Sequence, residues 1–125
     1  MNVLYDAGVL VAADRNNRQA WADHRARLEL GIVPIVTAPV VAQVSRSGKQ
    51  AELRRLLRGC EIALFSAEHG HEVGALLGAS RTADVVDAHL TIVASERDAM
   101  VITSGEKDIK RLSASLAEPL RIHHV

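Results

Sequence analysis

The sequence is short of aromatic residues. Tyr5, Trp21 and Phe65 are the only three, 2% of the 125 residues. Stacking platforms for bases or sugars are therefore not available on any scale. Cysteine is scarcer still: Cys60 stands alone, which excludes an intramolecular disulfide and fits a reducing, cytoplasmic setting. There is no net charge, with 15 basic and 15 acidic residues, so any pull on a polyanion has to come from a local patch. No apolar run approaches the roughly 20 residues that span a bilayer, so no membrane partner is expected. The opening Met-Asn-Val-Leu-Tyr-Asp lacks the basic-then-apolar layout of a signal peptide. Neither Gly-x-x-x-x-Gly-Lys-Ser/Thr nor Gly-x-Gly-x-x-Gly occurs, so no glycine loop of those kinds cradles a phosphate. Repeats, low-complexity tracts and linkers are missing too.

What is present is a chain that is 48% hydrophobic, mostly Ala, Val and Leu, and long enough for one domain over residues 1–125. Short apolar runs at Val3–Tyr5, Ile32–Val36, Ile62–Phe65, Met100–Thr103 and Leu120–His123 read as strands. Helical patterns lie between them: 7–13, 18–30, 38–47, 50–58, 66–77, 82–97 and 106–115. Residues 78–81 read as a loop, with Thr82 as a cap for the helix that follows. Strands alternating with helices predict an α/β domain, a three-layer α/β/α sandwich on a mainly parallel sheet of four or five strands.

The segment Ser80–Arg97 is the one the rest is organised around. As a helix it is apolar on nearly every face, through Val85, Val86, Ala88, Leu90, Ile92, Val93 and Ala94, and so belongs inside. Yet Asp84 and Asp87 share one face of its start. Buried carboxylates are costly unless neutralised, and a divalent cation with hard oxygen ligands is the simplest neutraliser. The plainer reading is that Asp84 caps the helix and Asp87 sits at the positive end of its dipole. Asp6 closes the first strand, and Ser104, Glu106 and Asp108 follow the fourth. In parallel α/β sheets sites lie beyond the carboxyl ends of strands, so these segments can meet at one rim. Crowded carboxylates there would take Mg²⁺ or Mn²⁺, an ion that activates water and neutralises a phosphate oxygen. Metal-assisted phosphodiester hydrolysis fits that inventory.

At these residues a family resemblance enters. Asp6, the pair in Asp84-Val85-Val86-Asp87-Ala88-His89, and Val101-Ile102-Thr103-Ser104-Gly105-Glu106-Lys107-Asp108 resemble the acidic motifs of PIN-domain ribonucleases. More narrowly they resemble VapC-type toxins of toxin–antitoxin pairs. The likeness spans essentially the full length, through Pro39-Val40-Val41-Ala42-Gln43, Arg55-Leu-Leu-Arg-Gly59 and Gly74-Ala-Leu-Leu-Gly78. It implies a Mg²⁺-dependent endoribonuclease acting on RNA, dimeric and neutralised by a VapB-like antitoxin. It casts Asp6 and Asp87 as metal ligands. Asp84 and Asp108 are then read as completing the acidic pocket through waters, with Glu106 the other acid that could stand in at the fourth strand's end. Ser104 matches a hydroxyl that orients a ligand carboxylate. Two positions depart from the pattern: Gln43 stands where the family carries its second acid, and Gly105 where it carries a fourth acid or amide.

Other features have plainer readings beside functional ones. Arg46, Lys49, Arg54, Arg55 and Arg58 could contact an RNA backbone, but a solvated helix face is commoner. His69-Gly70-His71-Glu72 looks like metal spacing but reads as surface, and His89 as a buried or partner-facing histidine. Cys60 reads as a small apolar filler. Two rival functions stand beside the nuclease. One is a PIN domain with weakened catalysis that grips RNA or an antitoxin; the other is an aspartyl phospho-acceptor domain, for which Lys107 is a loose match.

Overall fold

The computed structural model describes residues 1–125. In chain order the elements are β1 (Asn2–Tyr5), α1 (Ala7–Asp14), α2 (Arg18–Glu29), β2 (Ile35–Thr37), α3 (Ala38–Val44), α4 (Ala51–Arg58) and β3 (Glu61–Ala63). They continue as α5 (Ala67–Ser80), α6 (Val85–Glu96), β4 (Ala99–Thr103), α7 (Glu106–Ser113) and β5 (Ile122–His124). The strands form one sheet in the order β3-β2-β1-β4-β5, and every pairing is parallel. β1 lies at its centre, and Val3, Leu4 and Tyr5 are buried, as an apolar strand covered on both faces must be.

The chain moves outward from β1 to β2 and β3, then returns to place β4 and β5 on the other side of β1. Right-handed crossovers therefore put the helices before β3 on one face and those after it on the opposite face. The packing follows: α1 touches α2, α3 and α4, while α5, α6 and α7 pack on one another. This is the three-layer α/β/α sandwich that the alternation of strands and helices predicts, with five strands. The reversal of direction at β1 leaves a crevice between the ends of β1 and β4, the usual place for a site in such sheets.

α6 behaves as its composition demands. Every residue from Ala88 to Ala94 is buried. Leu90, Val93 and Ala94 join the main core with Leu4, Leu10 and Val101, and Ala88 and Ile92 join a smaller cluster with Val73, Leu76 and Leu112. Truncating one such leucine to alanine would cost about 2–5 kcal/mol.

Several boundaries differ from expectation, each for a local reason. α5 runs on past Gly78 to Ser80, and Arg81 ends it in the left-handed conformation at φ 57°. Asp84 rather than Thr82 caps α6. β2 starts at Ile35, after Pro34, which has no N–H for the ladder but accepts one from Glu61 at 2.8 Å. β3 ends at Ala63, and Leu64 and Phe65 are exposed beyond it. β5 is shifted to Ile122–His124 because its register is set by β4, Val101 opposite Ile122.

Candidate functional site

The site starts where β1 ends. Asp6 caps α1, its Oδ1 accepting the Ala7 N–H at 2.7 Å, and its own N–H donates to the Ile102 carbonyl of β4 at 3.0 Å. Its Oδ2 accepts the Thr103 hydroxyl at 2.7 Å, and Thr103 Oγ1 in turn accepts the Gly105 N–H at 3.0 Å. Thr103 is fully buried, so this short chain pins the Asp6 carboxylate at the end of β4. The hydroxyl that orients Asp6 is thus Thr103's. Ser104, the next residue, is exposed and stands against Gly8, where a side-chain carbon would strike its hydroxyl. Alternation along a strand explains the exchange, since neighbouring side chains point to opposite faces.

The second wall is the start of α6. Asp84 Oδ1 accepts the Asp87 N–H at 3.0 Å, so Asp84 is the helix cap. Asp87 is half-buried one turn later. Its carboxyl is pushed up to about 6, first by burial and then by the charges of Asp84, Asp6 and Asp108. Carboxylates from the end of β1, the start of α6 and the start of α7 thus lie near enough to Asp87 to act on it.

A cavity of about 270 Å³ opens there, lined by Arg81, Thr82, Asp84, Asp87, Asp108 and Arg111 among others. Asp6 is not in that lining and reaches it through its charge on Asp87. Glu106 is turned elsewhere, paired with Lys110 at 3.0 Å and with His124 at 3.9 Å. Gln43 is exposed on α3 and makes no hydrogen bond to any of the four acids. Gly105, the cap position of α7, offers no side chain. Both departures from the family pattern therefore leave their places uncharged.

The donor set suits a hard cation. It consists of carboxylate oxygens only, one of them raised first by burial and then by its acidic neighbours, and a divalent ion would relieve both. No three His, Cys, Asp or Glu side chains stand close enough to hold one ion together. Mg²⁺ commonly takes one or two carboxylates and keeps several waters, which matches Asp87 with Asp6 or Asp84.

The remaining candidates lie apart. Arg46 donates to the carbonyls of Ala42 and Ser45, Arg54 bonds the Gly48 carbonyl, and Arg55 pairs with Glu52 and stacks 4.0 Å from the centre of the Trp21 ring. With Lys49, none of them lines the acidic cavity. The histidine cluster is structural. His69 closes a capping box with Ser66, contacts Glu96 at 3.1 Å and accepts from or donates to His89 at 3.3 Å. His89 is fully buried and its Nδ1 has no partner. Cys60 bonds the Leu56 carbonyl at 3.3 Å, and burial pushes its thiol up to about 12, which makes it inert. Three contributors escape the sequence reading: Thr103, Arg81 and Arg111. Only Arg111 carried a signal, one helical turn beyond Asp108.

No protein-family model and no curated protein matches this sequence. Solved structures do resemble it. A chain of VapBC2 from Rickettsia felis, bound to a DNA fragment from its promoter, superposes with a TM-score of 0.71 over 100% of this chain and 99% of that one, at 18% identity. The likeness is one of fold. A toxin–antitoxin complex from Klebsiella pneumoniae gives 0.68 at 18% identity, covering 96% of this chain and 99% of the other. FitAcB from Neisseria gonorrhoeae gives 0.68 at 12%, covering 99% and 97%. The chain thus shares, end to end, the PIN-like architecture of toxin–antitoxin proteins. No helix is long and apolar enough to cross a membrane.

Proposed function

We propose that this chain is a Mg²⁺- or Mn²⁺-dependent endoribonuclease and the toxin of a toxin–antitoxin pair. The observation that carries the reading is geometric: Asp84 and Asp87 of α6 and Asp108 of α7 line one cavity, and Asp6 is held at the end of β4 beside it, at the switch point of the sheet. A likeness over full length to chains from toxin–antitoxin complexes supports the biological setting.

Asp6 and Asp87 are the residues that would hold the ion, with Asp84 and Asp108 holding its waters. When bound, the ion supplies a water acidified for attack and positive charge beside a phosphate oxygen. The chain's own part is positional. Thr103 keeps the Asp6 carboxylate turned to the rim. The Asp84 cap keeps the first turn of α6 closed, so that Asp87 stays fixed relative to it. Asp84 and Asp108 are both exposed at the cavity, where either can exchange a proton with solvent-side water.

In the proposed setting the protein works in the cytoplasm, pairs with a second copy of itself and is silenced by a small VapB-like antitoxin. Asp6→Asn and Asp87→Asn test the chemistry. Each should lower Mn²⁺-dependent cleavage of single-stranded RNA by about 100-fold or more, at an unchanged circular dichroism spectrum. Equal cleavage by both variants and the parent rejects the assignment. The weakened-catalysis alternative draws on Gln43 and Gly105, which leave two family positions without charge. Toxicity that survives Asp87→Asn would favour it.

A further inference from the structure

The acidic cavity has basic lining residues that the nuclease reading leaves unused. Arg81 and Arg111 line the same space of about 270 Å³ as Asp84, Asp87 and Asp108. Guanidinium groups this near to carboxylates ordinarily close into ion pairs. Here neither arginine has an acidic partner: the salt bridges of the molecule involve Arg55, Arg97, Arg121, Lys110 and two histidines.

The reason is local structure. Arg111 is held by the end of α5, with Nε donating to the Ser80 carbonyl at 3.3 Å and Nη2 to the Arg81 carbonyl at 3.4 Å. Those bonds satisfy orphan carbonyls of a helix terminus and leave Nη1 unbound. They also tie down Arg81, the left-handed residue that ends α5, whose own side chain bonds to nothing in the protein. Two cations and three carboxylates thus line one cavity without pairing.

We propose that Arg81 and Arg111 form a phosphate-binding wall that positions the RNA backbone beside the carboxylates in the same cavity. A phosphodiester is the group that satisfies both the cations and the acids, because its oxygens accept forked N–H bonds from guanidinium and also suit a hard cation. Arg81 supplies a free fork; Arg111 supplies its remaining N–H and holds Arg81 in place. This rests on the nuclease reading for the identity of the substrate, and it names the residues that seat it.

The test uses the full chain carrying Asp87→Asn, so that RNA survives, and a fluorescein-labelled single-stranded oligoribonucleotide read by anisotropy in Mg²⁺ across a salt series. Adding Arg81→Ala should weaken binding about tenfold and reduce the slope of log K against log salt by about 0.7, the value for one lost phosphate contact on a single strand. Arg111→Ala should do the same. Arg81→Lys should keep the slope and lose part of the affinity, since charge remains but the fork does not. Arg18→Ala, on α2 and outside the cavity, should leave the slope unchanged. A merely structural Arg111 would lower the melting temperature and leave the slope intact, which would overturn its role. Unchanged affinity and slope in both alanine variants, or no RNA binding by the Asp87→Asn chain even at low salt, overturns the wall. Cleavage by the parent protein is scored separately. If the parent cleaves and the slopes do not move, the wall fails while the nuclease stands; if the parent does not cleave, the nuclease fails and the slopes still decide the wall.

Discussion

Replacing Asp87 by asparagine should make the metal-free protein more stable, although it removes a proposed ligand. The carboxyl sits about 2 units above its ordinary value of 3.8, at about 6. At 1.36 kcal/mol per unit that is about 3 kcal/mol of unfavourable charge at pH 7.5. Asp87 is only half-buried, so solvent screening reduces this to about 1.5 kcal/mol. The sign follows from proton counting. Between pH 4 and 6 the folded state holds a proton on Asp87 that the unfolded chain has released, so this group's contribution is present at low pH and lost as pH rises through about 6. Asparagine has the shape of the protonated acid and no charge to lose. For a chain of this size the gain corresponds to about 5–7 °C in melting temperature. Differential scanning calorimetry in EDTA from pH 4 to 8 measures it: the variant should melt higher at pH 7.5, and the two curves should converge toward pH 4. Saturating Mg²⁺ should then raise the parent more than the variant, by about 2.7 kcal/mol at a hundredfold excess over Kd. A variant that melts below the parent in EDTA at pH 7.5, or a gap that ignores pH, would refute the claim that crowded carboxylates strain this rim.

Two further outcomes follow from the neighbouring residues. Thr103→Val keeps the shape and deletes the hydroxyl that donates to Asp6 and receives Gly105. It should cost about 1–3 kcal/mol in chemical denaturation and weaken Mn²⁺ binding, followed by calorimetric titration, by about 10–100-fold; unchanged metal affinity would show that Asp6 needs no orientation. His24 and His89 are both held below the ordinary histidine value of 6.5, chiefly by burial, with Arg27 adding to the first and His69 to the second. The unfolded chain therefore binds protons below pH 6.5 that the folded one refuses, and stability should fall as pH drops through that region. His89→Leu removes the buried Nδ1 that lacks a partner and should flatten that acid limb without abolishing it; an equally steep limb would assign the loss elsewhere.

The fold was legible because its signals are local. Val3–Tyr5, the buried run of α6 and the Gly59 stop after α4 each declare their element within a few residues. Boundaries were less legible where a partner sets them: the register of β5 depends on β4, and β2 begins where Pro34 can accept from Glu61. The continuation of α5 past Gly78 to Ser80 was missed for a related reason. Glycine disfavours a helix by only about 1 kcal/mol, and packing of Val73 and Leu76 against α6 and α7 outweighs it.

For the site, residue types spoke and directions did not. An acid after a strand, and two acids opening an otherwise apolar helix, announce on their own that charge must be handled near the sheet. The order of strands was needed to show that Asp6 and Asp87 feel one another. Only side-chain direction could award the Asp6 hydroxyl to Thr103 over Ser104, turn Glu106 toward Lys110, and bring Arg81 and Arg111 into one cavity with the acids. Periodicity along a chain specifies which residues share a face; which faces meet is a property of packing, and electrostatics acts across that meeting.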